Sequence, residues 1–465
     1  MKNRLVCFVV LAIVVLMPHS LNAQTRQLSL RGIVRELVVE MDAGRSESKY
    51  FLEVDGDSYP LTTKLDLSSL ANYKVEVLGK LTNNTVRVSS ALPLEEIPEV
   101  RQKIFPNGMH SFDVESKEDH RLAVFTPAPT EGIRNIGFFG FKFSDDLSEP
   151  LSPEQIYNLT LASDVQGPTL KGLIDKAAGS KFSITGLVHP EWITIPHTRA
   201  FCAAGANMFN ACTNSAKSLL QDRGVILSSY KTLAFFHPPI PGSTVGPMAT
   251  QGVKGDSSVQ GTIWVPLTPS AISRLPQILA HELGHNLGFG HSGAMGGDGQ
   301  VYTVADRGCY MGGSMAMLNI YYRIMAGWVT GKIVTISGPG TYDVYLHPAD
   351  KVVKGNKGVV IQTRDSNGVQ HADLTFIEAR RLLLPYEDFL QNMSYATGAI
   401  IRKGLQDMTL AQSVPTVLPT STNPNPDFNP LQLGDVYTDS TKGLTVQHFP
   451  SSISRGMWLR ITLNQ

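Results

Sequence analysis

The segment from His281 to His291 reads HELGHNLGFGH, and the fold of this 465-residue chain is organised around it. In a helix, His281 and His285 lie on one face, one turn apart, so both imidazoles can reach one metal ion. Gly288 can adopt a positive φ without steric cost, which predicts that the helix ends there and that the chain turns back to deliver His291. Three histidine ligands with one open position predict a catalytic zinc site, because a structural zinc site is closed by four protein ligands.

Glu282 stands next to the first histidine, where its carboxylate is predicted to face a water on the metal. Zinc lowers the pKa of bound water to about 7 and polarises a scissile carbonyl. We therefore predict that Glu282 is the general base, which takes the proton of the zinc-activated water and hands it to the leaving amine. The same pattern has two other interpretations: histidines on a helix surface without metal, and a zinc site without catalysis.

The composition describes a folded chain with room for about three domains of ordinary size. Hydrophobic residues make up 42% of the chain, which is enough for packed cores. Lysine plus arginine and aspartate plus glutamate are balanced at 40 each. Since this balance leaves no basic stripe, we predict no nucleic-acid partner.

The first residues have the pattern of a secretory signal peptide. Lys2 and Arg4 precede an apolar run from Leu5 to Met17, and a short polar stretch ends at Ala23. This pattern predicts that residues 1–23 are cleaved off. An uncleaved membrane anchor is the alternative, but the apolar run is short for a bilayer. We expect a secreted, extracellular protein, or a periplasmic or cell-surface one, with no membrane contact after cleavage.

Cys202, Cys212 and Cys309 remain after the predicted cleavage. In an oxidising compartment at least one pair is expected to form a disulfide. Cys202 and Cys212 are the local candidates, and their bond would close a small loop worth roughly 2–3 kcal/mol. Cys309 would then be a buried thiol, although sequence alone leaves the other two pairings open.

The predicted fold class is α+β, with an all-β region on either side of the zinc helix. Residues 24–97 alternate apolar and polar positions, which predicts a small β domain. The polar stretch 98–120 is predicted to be a linker, and residues 121–330 are predicted to form the catalytic domain. Residues 331–465 contain short apolar runs between Gly, Pro and Asn turns, which predicts a C-terminal β-sandwich.

Three elements of the central region have clear local signals. Ser152 to Gln155 has the pattern of a helix start, with Ser as N-cap, Pro at the first position and Gln to close a capping box. The segment Gly261–Leu267 is predicted to be a strand, and Pro266 suggests that it lies at a sheet edge. The zinc helix is predicted from Pro276 to Asn286. One face of it should pack on the sheet through Leu279, Leu283 and Leu287.

The zinc segment resembles the metzincin metallopeptidases and, within them, the gametolysin-like family of secreted peptidases. Tyr302 and the following stretch DRGCYMGG, residues 306–313, are similar to the residues after the third ligand in that family. The resemblance implies that Met311 is the methionine of the turn beneath the metal, with Met315 or Met317 as alternatives. It covers residues 120–330 well and the flanks weakly.

This resemblance implies a zinc endopeptidase whose active-site helix packs beneath a mixed sheet. The predicted edge strand would hold an extended protein or peptide substrate by main-chain pairing, and Thr262 and Trp264 are its candidate residues. The N-terminal β domain would be a propeptide or an accessory unit. The C-terminal sandwich would have either a stabilising role or a binding role, for instance toward a glycan or the cell wall.

The chain departs from the family pattern at two points. Some metzincins have a tyrosine two residues after the turn methionine as an extra zinc ligand, whereas Gly313 stands there in this chain. Some relatives also silence the zymogen with a propeptide cysteine, and here the region before the catalytic domain has no cysteine beyond the signal peptide. We therefore expect no further ligand from position 313, and any latency would need another group.

The leading hypothesis is a secreted zinc-dependent endopeptidase that acts on extracellular or cell-wall proteins. The alternative is a non-catalytic adhesion or carbohydrate-binding protein with a structural zinc, and a third is a zinc hydrolase of non-peptide amides. The intact Glu282 argues against the non-catalytic alternative. Calcium is left open, because Asp298 and Asp306 are acidic but lack the spacing of a calcium-binding loop.

Overall fold

A computed structural model describes most of the chain. The described residues are 26–41, 45–54, 57–63, 67, 74–82, 85–93, 103–104, 110–111, 130–163, 168–203, 207–242, 245–252, 260–295, 301–302, 304–312, 316–329, 332–348, 355–365, 367–371, 373–380, 398–405, 416–418, 430–449 and 456–464. The predicted signal peptide, residues 1–23, lies outside them, as does most of the predicted linker, 98–120.

The N-terminal region consists of strands. These are β1 (Arg26–Met41), β2 (Arg45–Val54), β3 (Asp57–Thr62), β4 (Lys74–Thr82) and β5 (Thr85–Pro93), followed by the short pair β6 (Lys103–Ile104) and β7 (His110–Ser111). The first half of β1 pairs with β4 and its second half with β2, both antiparallel. Alternating side chains along these strands enclose a small core of Val34, Leu52, Val75, Val77 and Val86.

The central region has a mixed sheet. Its strands are β8 (Gly132–Lys142), β9 (Phe182–Val188), β10 (Ile193–Thr194), β11 (Thr232–His237), β12 (Val245–Thr250) and β13 (Gly261–Pro266). β8 pairs in parallel with β9, β10 and β11, and β11 pairs in parallel with β13, while β12 is antiparallel to β13. Every residue of β11 and β13 is buried, as expected for parallel strands that are covered on both faces.

Helices cover this sheet. They are α1 (Pro153–Thr160), α2 (Leu170–Ala178), α3 (Arg199–Cys202), α4 (Thr213–Asp222), α5 (Pro269–Ile272), α6 (Leu275–Asn286) and α7 (Ile320–Met325). α1 begins with the predicted capping box between Ser152 and Gln155. α6 begins one residue before the predicted start and ends at the predicted residue. Leu279, Leu283 and Leu287 lie in the same buried cluster as Ile263 and Val265 of β13, so α6 packs on the sheet through the predicted leucine face.

The prediction that Gly261–Leu267 forms an edge strand is wrong. β13 lies inside the sheet, between β11 and β12. Pro266 is its last residue, and the ladder continues beyond it because Leu267 N donates to His237 O at 2.9 Å. A proline at the end of a strand removes only one donor, so it did not require an edge position.

The N-terminal strands continue directly into the central sheet. The end of β1 pairs antiparallel with β12, with Leu37 opposite Thr250 and Val39 opposite Met248. The free side of β12 is therefore covered by β1, and the sheet runs without interruption from β8 to β4. The two regions are joined by these backbone hydrogen bonds and by Leu37 and Phe51, which lie in one buried cluster with Met248 and Trp264.

The C-terminal region has two sheets that share one core. The first contains β14 (Gly293–Met295), β15 (Val301–Tyr302), β16 (Ile333–Ile336), β18 (Gly358–Ile361), β19 (Asp373–Arg380), β20 (Gly398–Leu405) and β21 (Thr416–Val417). The second contains β17 (Gly340–Leu346), β22 (Val436–Asp439), β23 (Leu444–Phe449) and β24 (Met457–Leu463). Ile361, Ile377 and Ile401 of the first sheet and Val446, Leu459 and Ile461 of the second are buried in one cluster.

Helices and strands are both abundant, so the α+β class is confirmed. β14 and β15 follow His291 in sequence and yet belong to the C-terminal sheet. The segment behind the third histidine therefore ties the central and C-terminal regions together. Among the described helices, none is long and apolar enough to cross a membrane.

Candidate metal centre

The segment from His281 to His291 folds as a helix followed by a tight turn. α6 ends at Asn286 with Leu287 as its C-cap, and Gly288 adopts a φ of +84°. Phe289 N donates to Gly284 O and Gly288 N donates to His285 O, both at 2.9 Å, which is the paired arrangement of a Schellman motif. This turn reverses the chain and brings His291 back toward the helix.

Three imidazoles meet at one point. His281 and His285 of α6 are buried, and His291 beyond the turn is half-buried. One ligand atom from each ring lies within 4.8 Å of the other two, and the ring centroids are separated by 4.7 to 5.4 Å. The group can therefore hold a metal ion.

Backbone carbonyls orient the two helical histidines. His281 Nδ1 lies 2.5 Å from Tyr310 O, and His285 Nδ1 lies 2.9 Å from Phe289 O. A carbonyl can only accept, so each Nδ1 carries the proton and each Nε2 presents a lone pair. The two Nε2 atoms are 3.0 Å apart. Two lone pairs at this distance repel each other unless a cation lies between them, so the donor set fits a metal ion.

Glu282 shares the helix with the first two histidines. It is 1% exposed, in a region where the neighbouring residues of α6 are also buried. A carboxylate enclosed in this way is shielded from bulk water, which strengthens its interactions with nearby charge. It follows His281 directly in α6, so its backbone lies next to that of the first histidine.

Met311 packs directly beneath the histidines. It lies in a single helical turn, Tyr310–Gly312, and is fully buried. A Cβ added to Gly284 would stand 2.4 Å from Met311 Sδ, so the thioether contacts the helix at the residue between His281 and His285. Met317, one of the alternatives from sequence, is buried elsewhere in the same core, and Met315 lies outside the described residues.

The end of β12 is fastened to α6. Gly252 N donates to His285 O at 2.7 Å, and Asn286 Nδ2 donates to Thr250 O at 2.7 Å. A Cβ on Gly261 would collide with the Asn286 amide, so this close approach requires a glycine. These contacts fix the helix against two strands of the sheet.

The segment that carries His291 is held from two sides. The hydroxyl of Tyr322 in α7 lies 2.6 Å from Gly290 O and 2.8 Å from His291 O and shares its one proton between them. Ser292 N donates to Met311 O at 2.8 Å, and Ser292 Oγ donates to Asp306 Oδ2 at 2.6 Å. The third ligand therefore lies outside the helix but within a dense set of hydrogen bonds.

A buried ion-pair network lies behind this segment. Asp306 is contacted by Arg402 of β20, and Arg402 also binds Glu378 of β19; all three side chains are fully buried. Burial raises the pKa of Asp306, but the Arg402 charge and hydrogen bonds from Arg402, Ser292 and Asn319 outweigh burial and hold that pKa below its ordinary value. Burial lowers the pKa of Arg402, and the two carboxylates raise it further than burial lowers it.

The three cysteines form one disulfide and one thiol, as their spacing predicted. Cys202 and Cys212 form a disulfide with a Cα–Cα distance of 6.2 Å. Cys309 is a buried thiol, and burial raises its pKa to about 12. Its sulfur accepts from Asn319 N at 3.4 Å. Since the thiol is neutral, it is a structural part of the core behind the metal centre.

The candidate substrate residues of β13 lie away from the histidines. Trp264 belongs to the core on the face of the sheet opposite α6, and its Nε1 donates to Thr213 Oγ1 at 2.8 Å. Thr262 N donates to Thr250 Oγ1 at 2.9 Å, so the strand is occupied by its neighbour β12. These contacts make both residues part of the sheet core, so β13 offers no open edge for a peptide.

One of the two acidic residues considered for calcium, Asp306, is bound by other protein groups. Both oxygens of Asp306 are used by protein donors: Arg402, Ser292, Asn319 and Gly308 N. Asp306 therefore acts as an ion-pair partner. Asp298 and Gly313 lie outside the described residues, as does the side chain of Tyr302.

Sequence reasoning missed the buried charges of the C-terminal region that lie behind the His291 segment. Arg402 and Glu378 lie in short apolar strands, where a single charge carries no recognisable spacing. A signal was present in composition: an arginine within the run AIIRKGL is rare inside a buried strand and needs a partner. Comparison of the chain with protein-family models and with curated proteins found no match.

Proposed function

We propose that this protein is a secreted zinc-dependent endopeptidase that hydrolyses peptide bonds of extracellular or cell-wall proteins. The observation that carries the proposal is the convergence of His281, His285 and His291, whose ligand atoms lie within 4.8 Å of one another. Three protein ligands on one buried centre leave a coordination position for a reacting group.

The chemistry of the donors favours zinc. Imidazole nitrogen is a good ligand for zinc, and carbonyl partners on Nδ1, seen at Tyr310 and Phe289, are the usual outer contacts of a histidine that ligates metal through Nε2. When bound, zinc would lower the pKa of water and polarise the substrate carbonyl. Neutral ligands leave the full charge of the ion available for both effects.

Glu282 is the proposed general base. It would take a proton from the attacking water onto a carboxylate oxygen and return it to the nitrogen of the leaving amine. Its burial keeps it in a medium of low dielectric constant, where its charge is strongly felt by the reacting atoms. The fixed helix α6 holds the base and two ligands on one rigid element, which favours a constant geometry.

The metzincin and gametolysin-like resemblance supports a peptide substrate. A mixed sheet packed on α6 and a buried methionine in contact with Gly284 agree with what that resemblance implies. The disulfide between Cys202 and Cys212 supports an oxidising compartment, and the signal-peptide pattern of residues 1–23 supports export.

The test is a proteolysis assay on the full exported chain with gelatin as substrate. We expect cleavage that a chelator abolishes and zinc restores. Glu282→Ala should retain zinc and lose about 10²–10⁴-fold in rate, because it removes the proton acceptor. Glu154→Ala, an exposed glutamate at the start of α1, is the matched control and should cleave at the rate of the parent.

Two results would overturn the proposal. Gelatin cleavage by Glu282→Ala at the parent rate would remove Glu282 from the mechanism. Zinc binding without hydrolysis of any protein substrate would favour the non-catalytic adhesion alternative. Mass spectrometry of the N-terminus in the same preparation checks the predicted cleavage near Ala23.

A further inference from the structure

A continuous run of buried polar contacts leads from the C-terminal sheet to the third histidine. It begins at Arg402 of β20, whose Nε lies 2.8 Å from Asp306 Oδ2 and whose Nη2 lies 3.2 Å from Asp306 Oδ1. This two-point contact fixes the plane of the carboxylate as well as its distance. Arg402 also binds Glu378, which accepts from Ile320 N at the start of α7.

Asp306 in turn holds Ser292, the residue after His291, by hydrogen bonds. Its Oδ2 accepts from Ser292 Oγ at 2.6 Å and from Asn319 Nδ2 at 3.3 Å, while Asn319 Nδ2 also donates to Ser292 Oγ at 2.9 Å. Asp306 N donates to Ser292 O at 3.1 Å. Ser292 is thus held through its backbone and its hydroxyl, so it has little freedom to move.

The third histidine depends on such support more than the other two. His281 and His285 are carried by α6, whose backbone hydrogen bonds fix their spacing. His291 lies beyond the Gly288 turn, outside any helix or strand. Its distance from the other imidazoles is therefore set by what holds the segment Gly290–Ser292.

We propose that Arg402 is a positioning residue for the metal centre: through Asp306 and Ser292 it holds His291 in reach of His281 and His285. The inference rests on the proposed metal site. It gives the C-terminal region a role in the central chemistry, since β20 supplies the cation that orders the third ligand.

The experiment measures zinc affinity of the full chain by competition with a chromogenic chelator. The variants are Arg402→Lys, which keeps the charge but loses the two-point contact, and Ser292→Ala, which keeps the ion pair and removes the side-chain part of its link to the His291 segment. Loss of an outer contact of a ligand lowers metal affinity about 10–100-fold. We expect a loss in that range for Arg402→Lys and one near tenfold for Ser292→Ala.

Arg460→Met is the matched control. Arg460 pairs with Asp343 between β24 and β17 of the same C-terminal region, but the pair is half exposed. We expect the zinc affinity of this variant to equal that of the parent. Cobalt-loaded samples supply a second readout, because a displaced histidine changes the visible absorption of the bound ion whereas a merely less stable fold leaves it unchanged.

The outcomes separate the two proposals. If the parent binds no zinc, the proposed function fails. If the parent binds zinc and either variant, shown by circular dichroism to be folded without metal, binds it equally well, the positioning role of Arg402 is overturned. Should Arg402→Lys not fold, Ser292→Ala decides alone, because it leaves the ion pair intact.

Discussion

The two β regions are joined to the central sheet in different ways. On the N-terminal side, β1 pairs with β12 through backbone hydrogen bonds from Leu37 to Met41. On the C-terminal side, the joint includes a fully buried ion pair between Arg402 and Asp306. Backbone pairing tolerates many side chains, whereas a buried ion pair depends on a few atoms. The first joint therefore depends less on any single residue than the second.

The two joints also differ in how they contact the segments that carry the three histidines. Asp306 of the C-terminal ion pair accepts a hydrogen bond from Ser292, the residue that follows His291. The N-terminal joint ends at β12, and Gly252 just beyond it donates to the backbone carbonyl of His285, whose position the hydrogen bonds of α6 already hold. A change in the C-terminal joint should therefore alter both folding and metal binding, while a change in the N-terminal joint should alter folding alone.

The largest expected effect is the loss of the buried cation. Arg402→Met leaves two fully buried carboxylates, Asp306 and Glu378, without their common partner. Removing one member of a buried pair costs about 3–5 kcal/mol in the free energy of unfolding. Urea denaturation followed by fluorescence measures it. A loss no larger than the roughly 2–3 kcal/mol expected for Leu37→Ala would show that the C-terminal joint is as tolerant as the N-terminal one.

A smaller effect is expected at the N-terminal joint. Leu37 of β1 is buried against the core that contains Phe51, Met248 and Trp264. Leu37→Ala should lower the free energy of unfolding by about 2–3 kcal/mol through the cavity that it creates. Zinc affinity, measured by chelator competition on the folded variant, should stay at the parent value. A tenfold loss of affinity would mean that this joint also reaches the ligands.

The smallest expected effect is on the pH dependence of stability. The pKa of Asp306 in the folded chain lies below its ordinary value of 3.8. Its stabilising contribution is therefore present above 3.8 and is lost as the pH falls from there through the lower folded pKa. The backbone bonds between β1 and β12 carry no such group.

Denaturation curves recorded from pH 7 down to pH 3 compare the parent with Asp306→Asn. We expect the stability of the parent to fall more steeply in the acid range, because the variant lacks this titration. Identical slopes in the two proteins would contradict the depressed pKa.

The local parts of the structure were predictable from sequence. The spacing of His281 and His285, the glycine that ends α6, and the capping box at Ser152 each depend on neighbours within a few residues. The Cys202–Cys212 disulfide is also local, with a sequence separation of 10. Patterns of this kind follow from helix geometry and short loop closure.

The long-range parts were not predictable. Arg402 lies 96 residues from Asp306, and no periodicity connects two charges across that distance. The edge position of β13 was wrong because a proline at the last residue of a strand resembles a proline in an edge strand. β1 spans 16 residues and pairs with β12 of the central sheet as well as with β2 and β4, and the alternation of apolar residues does not indicate which strands pair.

Because β1 pairs with β12, removal of the N-terminal strands should change how a shortened protein behaves. In the full chain, β12 has β13 on one side and β1 on the other. A fragment lacking residues 24–97 would present a row of bare amide and carbonyl groups along Val245–Thr250. An unpaired strand edge of this kind can pair with any extended chain, including a second copy of the fragment. Shortened preparations should therefore precipitate or form fibrils unless another strand pairs with β12.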